Sequence, residues 1–328
     1  MVSDMLKAKL IINKKKIIEN YNYYKEINHT TICVVKGNAY GTNIINIVKL
    51  LAKYEVKHFA VFSLKEAKQI RKINKDYFIL LLNSIEAKDL KYCFKNNITL
   101  SINSIKDYNL LIANNYQGFV HIKLDTGMHR YGVNKTEFLN IIKDNILNIN
   151  GIFSHLIGNS SYYKEIKKQV DLFDDILSNI DTSNYLIHIT STNSCKIIKS
   201  KYQNAIRIGM GLYGFSDHLN PALSLYLPIT LKREIKKGEY CSYNNSFIAK
   251  ENGFLYVIPL GYYNSLLPST KISLKGFINA GNICMNCLTL FSKKEYTKKA
   301  ITLNGYDLLK LCSDNNYSIY WLLSSFTS

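Results

Sequence analysis

Apolar residues recur along this chain in two alternating rhythms. Short β-branched or aliphatic runs, such as 31–36 and 58–61, are followed by stretches with apolar positions three and four apart, such as 44–53. The first rhythm predicts a strand buried on both faces, the second an amphipathic helix. Carried along the chain, it predicts strands at 31–36, 58–61, 77–81, 98–101, 119–124, 149–154, 185–189 and 204–207. Helices are expected between them at 44–53, 64–72, 86–95, 105–114, 135–143, 162–177 and, shortest, 193–200, with one more at 14–25 before the first strand. Such alternation calls for right-handed parallel crossovers. Eight strands within about 180 residues fit a closed (β/α)8 TIM barrel better than an open doubly wound sheet.

The helical rhythm stops near Ser216. Strands are expected at 222–232, 240–243, 253–259, 271–278 and 281–290, then helices at 307–312 and 317–323. The expected organisation is an α/β barrel over residues 1–215 and a smaller, mainly β C-terminal domain over 216–328. A short strand at Lys9–Ile12 makes residues 1–12 a candidate to join the β domain.

Composition supports this plan and trims the functional classes. The 328 residues suffice for one barrel of roughly 200 to 250 residues plus a smaller module. With 47% hydrophobic and 20% charged residues and only four prolines, a folded chain is expected. Met1 to Lys7 lacks a basic-then-apolar leader pattern and no 18-residue apolar span follows, so a cytoplasmic protein without a membrane partner is expected. The net charge of +18 comes from lysines spread over the whole length without a basic-aromatic cluster, so no nucleic-acid partner is expected. Seven cysteines are scattered and expected to be reduced thiols. Cys284-Met285-Asn286-Cys287 has metal-like spacing but no second Cys or His pair at zinc-site spacing, so no metal is expected.

Candidate chemistry begins at Cys33-Val34-Val35-Lys36-Gly37-Asn38-Ala39-Tyr40-Gly41. A lysine at the end of a buried strand is costly unless its charge is used or its pKa falls, and a depressed pKa is what Schiff-base chemistry requires. In a (β/α)8 barrel, reactive groups gather past strand C-termini, with phosphate sites after strands seven and eight. The polar clusters of the first domain obey that rule. Lys123-Leu124-Asp125-Thr126-Gly127-Met128-His129-Arg130 follows the fifth strand, Ser154-His155 the sixth, His188 to Thr192 the seventh, and Arg207-Ile208-Gly209-Met210-Gly211 the eighth.

The first of these resembles the pyridoxal 5'-phosphate (PLP) lysine motif of the alanine racemase family, V-V-K-A-N-A-Y-G-H-G. By that resemblance Lys36 is the Schiff-base lysine and Tyr40 a phosphate contact. The fifth-strand segment resembles K-V-D-T-G-M-G-R-L-G, which makes Arg130 a substrate-binding arginine and Lys123 the lysine that many members carbamylate. Gly151-Ile152-Phe153-Ser154-His155 resembles G-I-F-T-H, in which the histidine stacks on the cofactor ring. His188-Ile189-Thr190-Ser191-Thr192 takes the place of H-I-A-N-S, so a gap-free match makes Thr192 the phosphate hydroxyl; Ser194, in a literal Asn-Ser pair, is the alternative. Arg207 to Gly214 resembles R-P-G-I-A-L-Y-G, implying phosphate contacts from the Gly209 and Met210 amides and an arginine facing the pyridine nitrogen.

Beyond the barrel, Pro259-Leu260-Gly261-Tyr262 resembles the start of V-x-V-G-Y-A-D-G and Cys284-Met285-Asn286 resembles C-M-D. These imply Tyr262 as a second catalytic base opposite Lys36, and Met285 as a substrate contact. The resemblance further implies a head-to-tail homodimer with shared active sites. The expected activity is that of a PLP-dependent racemase of a small amino acid, most naturally alanine. Alternatives are a racemase for another amino acid such as serine or lysine, or a PLP-binding regulatory protein with little catalysis. Departures from the family pattern bear on substrate preference: Tyr263-Asn264-Ser265 replaces A-D-G, Asn286 replaces aspartate, Leu156-Ile157-Gly158-Asn159 replaces F-A-T-A, and Phe326-Thr327-Ser328 stands where R-V-P-R is expected.

Overall fold

The computed structural model describes residues 7–28, 30–158, 160–216, 219–264 and 266–324. The expectations drawn from Met1 to Leu6, Asn159, Ser265 and 325–328 lie outside these described residues. The chain divides into two compact units, one of Lys15–Ala39 and Asn43–Leu219, the other of Met1–Lys14, Tyr40–Thr42 and Asn220–Ser328.

In the second of these units, strand β1 is Lys9–Ile12. The first unit carries eight parallel strands: β2 Thr30–Val34, β3 His58–Val61, β4 Phe78–Leu81, β5 Ile98–Ile102, β6 Phe119–Lys123, β7 Asn148–Phe153, β8 Leu186–His188 and β9 Ala205–Ile208. They run in the order β8-β7-β6-β5-β4-β3-β2-β9, and a parallel bridge between Ser191 and Arg207 links the two ends, closing the barrel that the sequence predicts. Ile32, Val34, Ala60, Leu80 and Ala205 form one buried cluster of its core. Such strands are covered on both faces, which is why they read as unbroken apolar runs. The helices that cover them start where side chains cap the free amides: Ser63 with Glu66, and Asn134 with Glu137, form capping boxes.

One feature of the barrel positions the site. Val120 pairs with Ile149 but His121 pairs with Gly151, so Asn150 is an extra residue that bulges out of β7. The bulge sets Gly151 against the His121 ring, where any Cβ would overlap Nε2, Cε1 and Cδ2.

The expected helix at 193–200 is absent. Ser194 Oγ accepts the Ser191 amide at 2.9 Å, and single turns follow it. Asn and Ser side chains compete in this way with helical hydrogen bonds.

In the β unit, β10 (Leu223–Pro228) pairs antiparallel with β1 and with β18 (Ala300–Leu303). A five-stranded sheet has the order β11 (Leu231–Ile235), β14 (Gly253–Ile258), β17 (Leu288–Ser292), β16 (Phe277–Asn279), β15 (Ser273–Leu274). A small hairpin joins β12 (Tyr240–Cys241) to β13 (Phe247–Ile248). The strand expected over 222–232 is therefore two. Pro228 lacks an amide, and past it Ile229 bonds Lys299 while Thr230 turns to Val257 in the other sheet. The strand expected at 271–278 is broken by Lys275 and Gly276, whose φ values of 54° and 81° make a hairpin turn. Of the span 281–290 only its end is strand, because 281–287 forms a loop. Helices Gly305–Asp314 and Ile319–Ser324 close the described chain.

Candidate active site

Lys36 follows β2 and opens a turn of unusual hand. Gly37, Asn38, Ala39 and Tyr40 have φ of 63°, 53°, 55° and 55°. Glycine and asparagine enter this region easily, whereas a residue with an ordinary Cβ pays about 1–2 kcal/mol there. The turn is held from several sides. Asn38 N–H donates to Glu66 Oε1 at 2.9 Å, Ala39 N–H to Val35 O at 2.9 Å, and Tyr213 Oη to Ala39 O at 2.7 Å. Glu66 Oε2 in turn accepts the Phe62 and Ser63 amides at 3.1 and 3.0 Å. Tyr40 is buried, its ring 6.0 Å from that of Tyr320.

Around Lys36 the barrel gathers positive charge. Lys36 is exposed, yet desolvation by the surrounding walls first, then the Arg130 and Arg207 charges, push its pKa down, with Glu66 opposing. Burial likewise lowers Lys123 to about 8, helped by Arg207, Arg130 and Lys36 and opposed by Asp125. Lys123 Nζ lies 5.2 Å from the Tyr131 ring and 5.8 Å from that of Phe153. Arg130 is exposed and sits in a turn that Asp125 Oδ1 builds by accepting the Gly127, Met128 and His129 amides at 3.0, 3.1 and 3.1 Å.

Arg207 is 4% exposed and has no carboxylate partner among the described residues. Its guanidinium donates to the carbonyls of Ser154, His188 and Ile189 at 2.6, 2.6 and 3.1 Å, to His188 Nδ1 at 2.5 Å and to His155 Nδ1 at 3.3 Å. Burial brings its pKa down to about 9. Because arginine only donates, these contacts assign the histidine tautomers. His188 Nδ1 accepts, so its Nε2–H points to His121 Nδ1 at 3.0 Å. His121 then carries its proton on Nε2, which has no partner among the described residues. Burial, then Arg207, drives His121 to about 3; the same two causes, joined by Lys123, Arg130 and Lys36, drive His155 to about 3. His188 is also pushed down, by burial first. All three are neutral rings at pH 7.

Past β8 and β9 two backbone amides converge on one hydroxyl. The Gly209 and Gly211 amides both donate to Thr192 Oγ1 at 3.2 Å, at the start of the short 3-10 turn Met210–Tyr213. Met210 is buried. Ser194 lies elsewhere, tied to its own Ser191 backbone. Converging amides of this kind suit phosphate oxygens.

Tyr262 and Met285 stand together in the β unit. Tyr262 N–H donates to Cys284 O at 3.1 Å and Tyr263 N–H to Met285 O at 2.8 Å. Gly261 permits this approach, since a Cβ there would strike both carbonyls. Tyr262 and Met285 are 43% and 52% exposed.

The chain matches the alanine racemase N-terminal domain over residues 12–217 and the alanine racemase C-terminal domain over residues 222–314. The chain belongs to the alanine racemase family. An alanine racemase of Borreliella burgdorferi is 29% identical over 309 residues, covering 84% of this chain and 82% of the relative. Among solved structures, alanine racemase from Bartonella henselae with covalently bound pyridoxal phosphate superposes with a TM-score of 0.86 at 23% identity, covering 98% of both chains. Histidine racemase from Leuconostoc mesenteroides subsp. sake gives 0.82 at 19% identity, covering 99% of this chain and 96% of the other.

The family's cofactor fits what stands at the barrel mouth. Arg130 and Arg207 act on both Lys36 and Lys123, opposed by Glu66 at the first and Asp125 at the second, so positive charge gathers there that an anion relieves. The amides converging on Thr192 suit a phosphate, and a lysine of lowered pKa suits an aldehyde. Two participants escaped sequence reasoning, Glu66 and His121, while His188 was placed in its motif without a role of its own. Glu66 was within reach through the Ser63-x-x-Glu66 capping signature, and His121 through its alternation with Lys123, which puts both on one face of β6.

Proposed function

We propose that this chain is a PLP-dependent amino acid racemase that interconverts L- and D-alanine by two opposed bases, Lys36 and Tyr262. The observation that carries the reading is Lys36 itself, a lysine just past the end of β2, open to solvent at the barrel mouth, whose proton is repelled by Arg130 and Arg207. Its amine is thereby available as a nucleophile and as a base. Lys36 would hold PLP covalently; Thr192, Gly209, Met210 and Tyr40 would bind its phosphate, and His155 and Arg207 its ring. When bound, PLP draws electrons from the substrate α-carbon and acidifies its proton. Arg207, held among carbonyls, would disfavour a proton on the ring nitrogen of bound PLP, which would weaken the electron sink and suit return of the proton over transamination. Arg130 and the Met285 backbone would orient the substrate carboxylate, and Lys123, of lowered pKa, is suited to carbamylation.

Inversion needs a proton removed on one face and returned on the other, and a phenol on a separate element meets that need. Tyr262 and Met285 are both exposed on the β unit, as a head-to-tail homodimer with shared sites would use them. No helix among the described residues is long and apolar enough to cross a membrane, and we assign the enzyme to the cytoplasm.

A D/L assay on alanine, serine, lysine and histidine tests the substrate, since the fold is also that of a histidine racemase. Lys36→Ala should abolish both racemisation and the visible band of bound cofactor; full activity in that variant defeats the scheme. Tyr262→Phe should slow the two directions of α-proton exchange unequally, and equal slowing counts against opposed bases.

A further inference from the structure

Of the seven cysteines, Cys33, Cys93, Cys195 and Cys312 are buried, and Cys241, Cys284 and Cys287 are partly exposed. The exposed three lie together in the β unit, where the Cys284 charge acts on both Cys241 and Cys287. Among the described residues no group of three or more Cys, His, Asp or Glu is arranged to hold a metal ion. The pair within this trio has a different geometry. Cys284 and Cys287 face each other across the tight turn of Met285 and Asn286, with Cys284 N–H donating to Cys287 O at 2.9 Å. Two residues joined across so short a turn can meet the Cα spacing of about 4.4–6.8 Å that a disulfide requires. Burial, the Cys284 charge and a hydrogen bond with Cys284, in that order, hold the Cys287 thiol up, and that hydrogen bond sets the two sulfurs beside each other.

We propose that Cys284 and Cys287 are a reversible dithiol modification site whose co-reactant is a small-molecule disulfide and whose closure shifts Tyr262. Cys284 thiolate attacks one sulfur of the small disulfide, forming a mixed disulfide and releasing one small thiolate. Cys287 then loses its proton, and its sulfur attacks Cys284 Sγ and expels the second small thiolate. Two protein thiols lose two electrons in total, and one small disulfide becomes two small thiols. Closing the bond draws the two sides of the turn together. The Cys284 and Met285 carbonyls, which accept the Tyr262 and Tyr263 amides, move with it. The bond itself is independent of the proposed function; its effect on rate rests on the role assigned to Tyr262.

The test is to incubate the full chain, loaded with PLP, with oxidised glutathione, block free thiols in acid, and map linkages by mass spectrometry while following racemisation. A Cys284–Cys287 linkage is expected, reversed by dithiothreitol, with activity lower by roughly 10- to 100-fold and then restored, since a displacement near 1 Å at a reacting group costs about that much. Cys287→Ser should form no such linkage and should instead stop at a glutathione mixed disulfide on Cys284, released by dithiothreitol. Absence of the linkage, or a linkage of Cys284 to Cys241 in its place, overturns the site. A linkage that leaves the rate unchanged overturns the coupling to Tyr262. A reduced chain with no racemase activity defeats the functional reading instead, and the mapping still decides the dithiol.

Discussion

Adding one methyl group at Gly151 is expected to weaken both the barrel and its hold on the cofactor. A Cβ at residue 151 would occupy the space of the His121 ring, which is fully buried and unable to swing away without breaking its bond to His188. His188 is in turn bonded to Arg207, so the push is handed on to the guanidinium proposed to face the cofactor. Overpacking a core of this kind costs about 1–3 kcal/mol. At roughly 2–4 °C per kcal/mol for a unit of this size, Gly151→Ala should melt about 2–12 °C below the parent by circular dichroism. Loss of one hydrogen bond to a charged group, about 1.5–3 kcal/mol, should weaken PLP binding by roughly 10- to 100-fold in a fluorescence titration. The double variant His121→Ala, Gly151→Ala removes the clashing ring and should be more stable than the sum of the single changes by about 0.5–3 kcal/mol. A Gly151→Ala protein that melts with the parent, or a strictly additive double variant, refutes the chain of contact from β7 to Arg207.

Two further outcomes concern pH. His121 and His155 are held near 3 in the folded chain against an ordinary value of 6.5, so the unfolded chain binds more protons between those limits. Stability present above pH 6.5 is therefore lost as pH falls towards 3, and His121→Asn should flatten the slope of unfolding free energy against pH in urea titrations. Lys123 is held at about 8 against 10.5, so its ammonium burdens the fold below pH 8 and the burden lifts as pH rises from 8 to 10.5. Without cofactor, Lys123→Met should be the more stable protein at pH 7, with the gap closing across that window; a gap independent of pH would contradict the burial argument.

Much of this architecture was legible because parallel strands covered on both faces are continuous apolar runs, as 58–61 and 98–102 are, and because caps such as Ser63 with Glu66 mark helix starts. The expected strand at 58–61 coincides with β3, and the expected helix at 64–72 ends one residue late. What was not legible depends on side chains competing with the backbone or on very short pairings. Ser194 diverts 193–200 from a helix, Lys275 and Gly276 split one strand, and Phe247–Ile248 is only two residues long. At the site, residues at strand ends announced themselves by position. Lys36, Lys123, Arg130, His155 and Arg207 are brought to one end of the barrel, where each bears on the others' charge. The bond between His121 and His188 did not announce itself, since it joins residues 67 positions apart.

The seam of the barrel carries one more consequence. β2 and β9 pair directly, with Ile32 opposite Arg207, so the earliest strand of the ring is completed by the last. A chain emerging from the ribosome displays Lys36 long before Arg207 and Thr192 exist. On the proposed function, the residues that would hold vitamin B6 therefore stand together only once the segment through Gly214 has been synthesised and β9 has closed on β2.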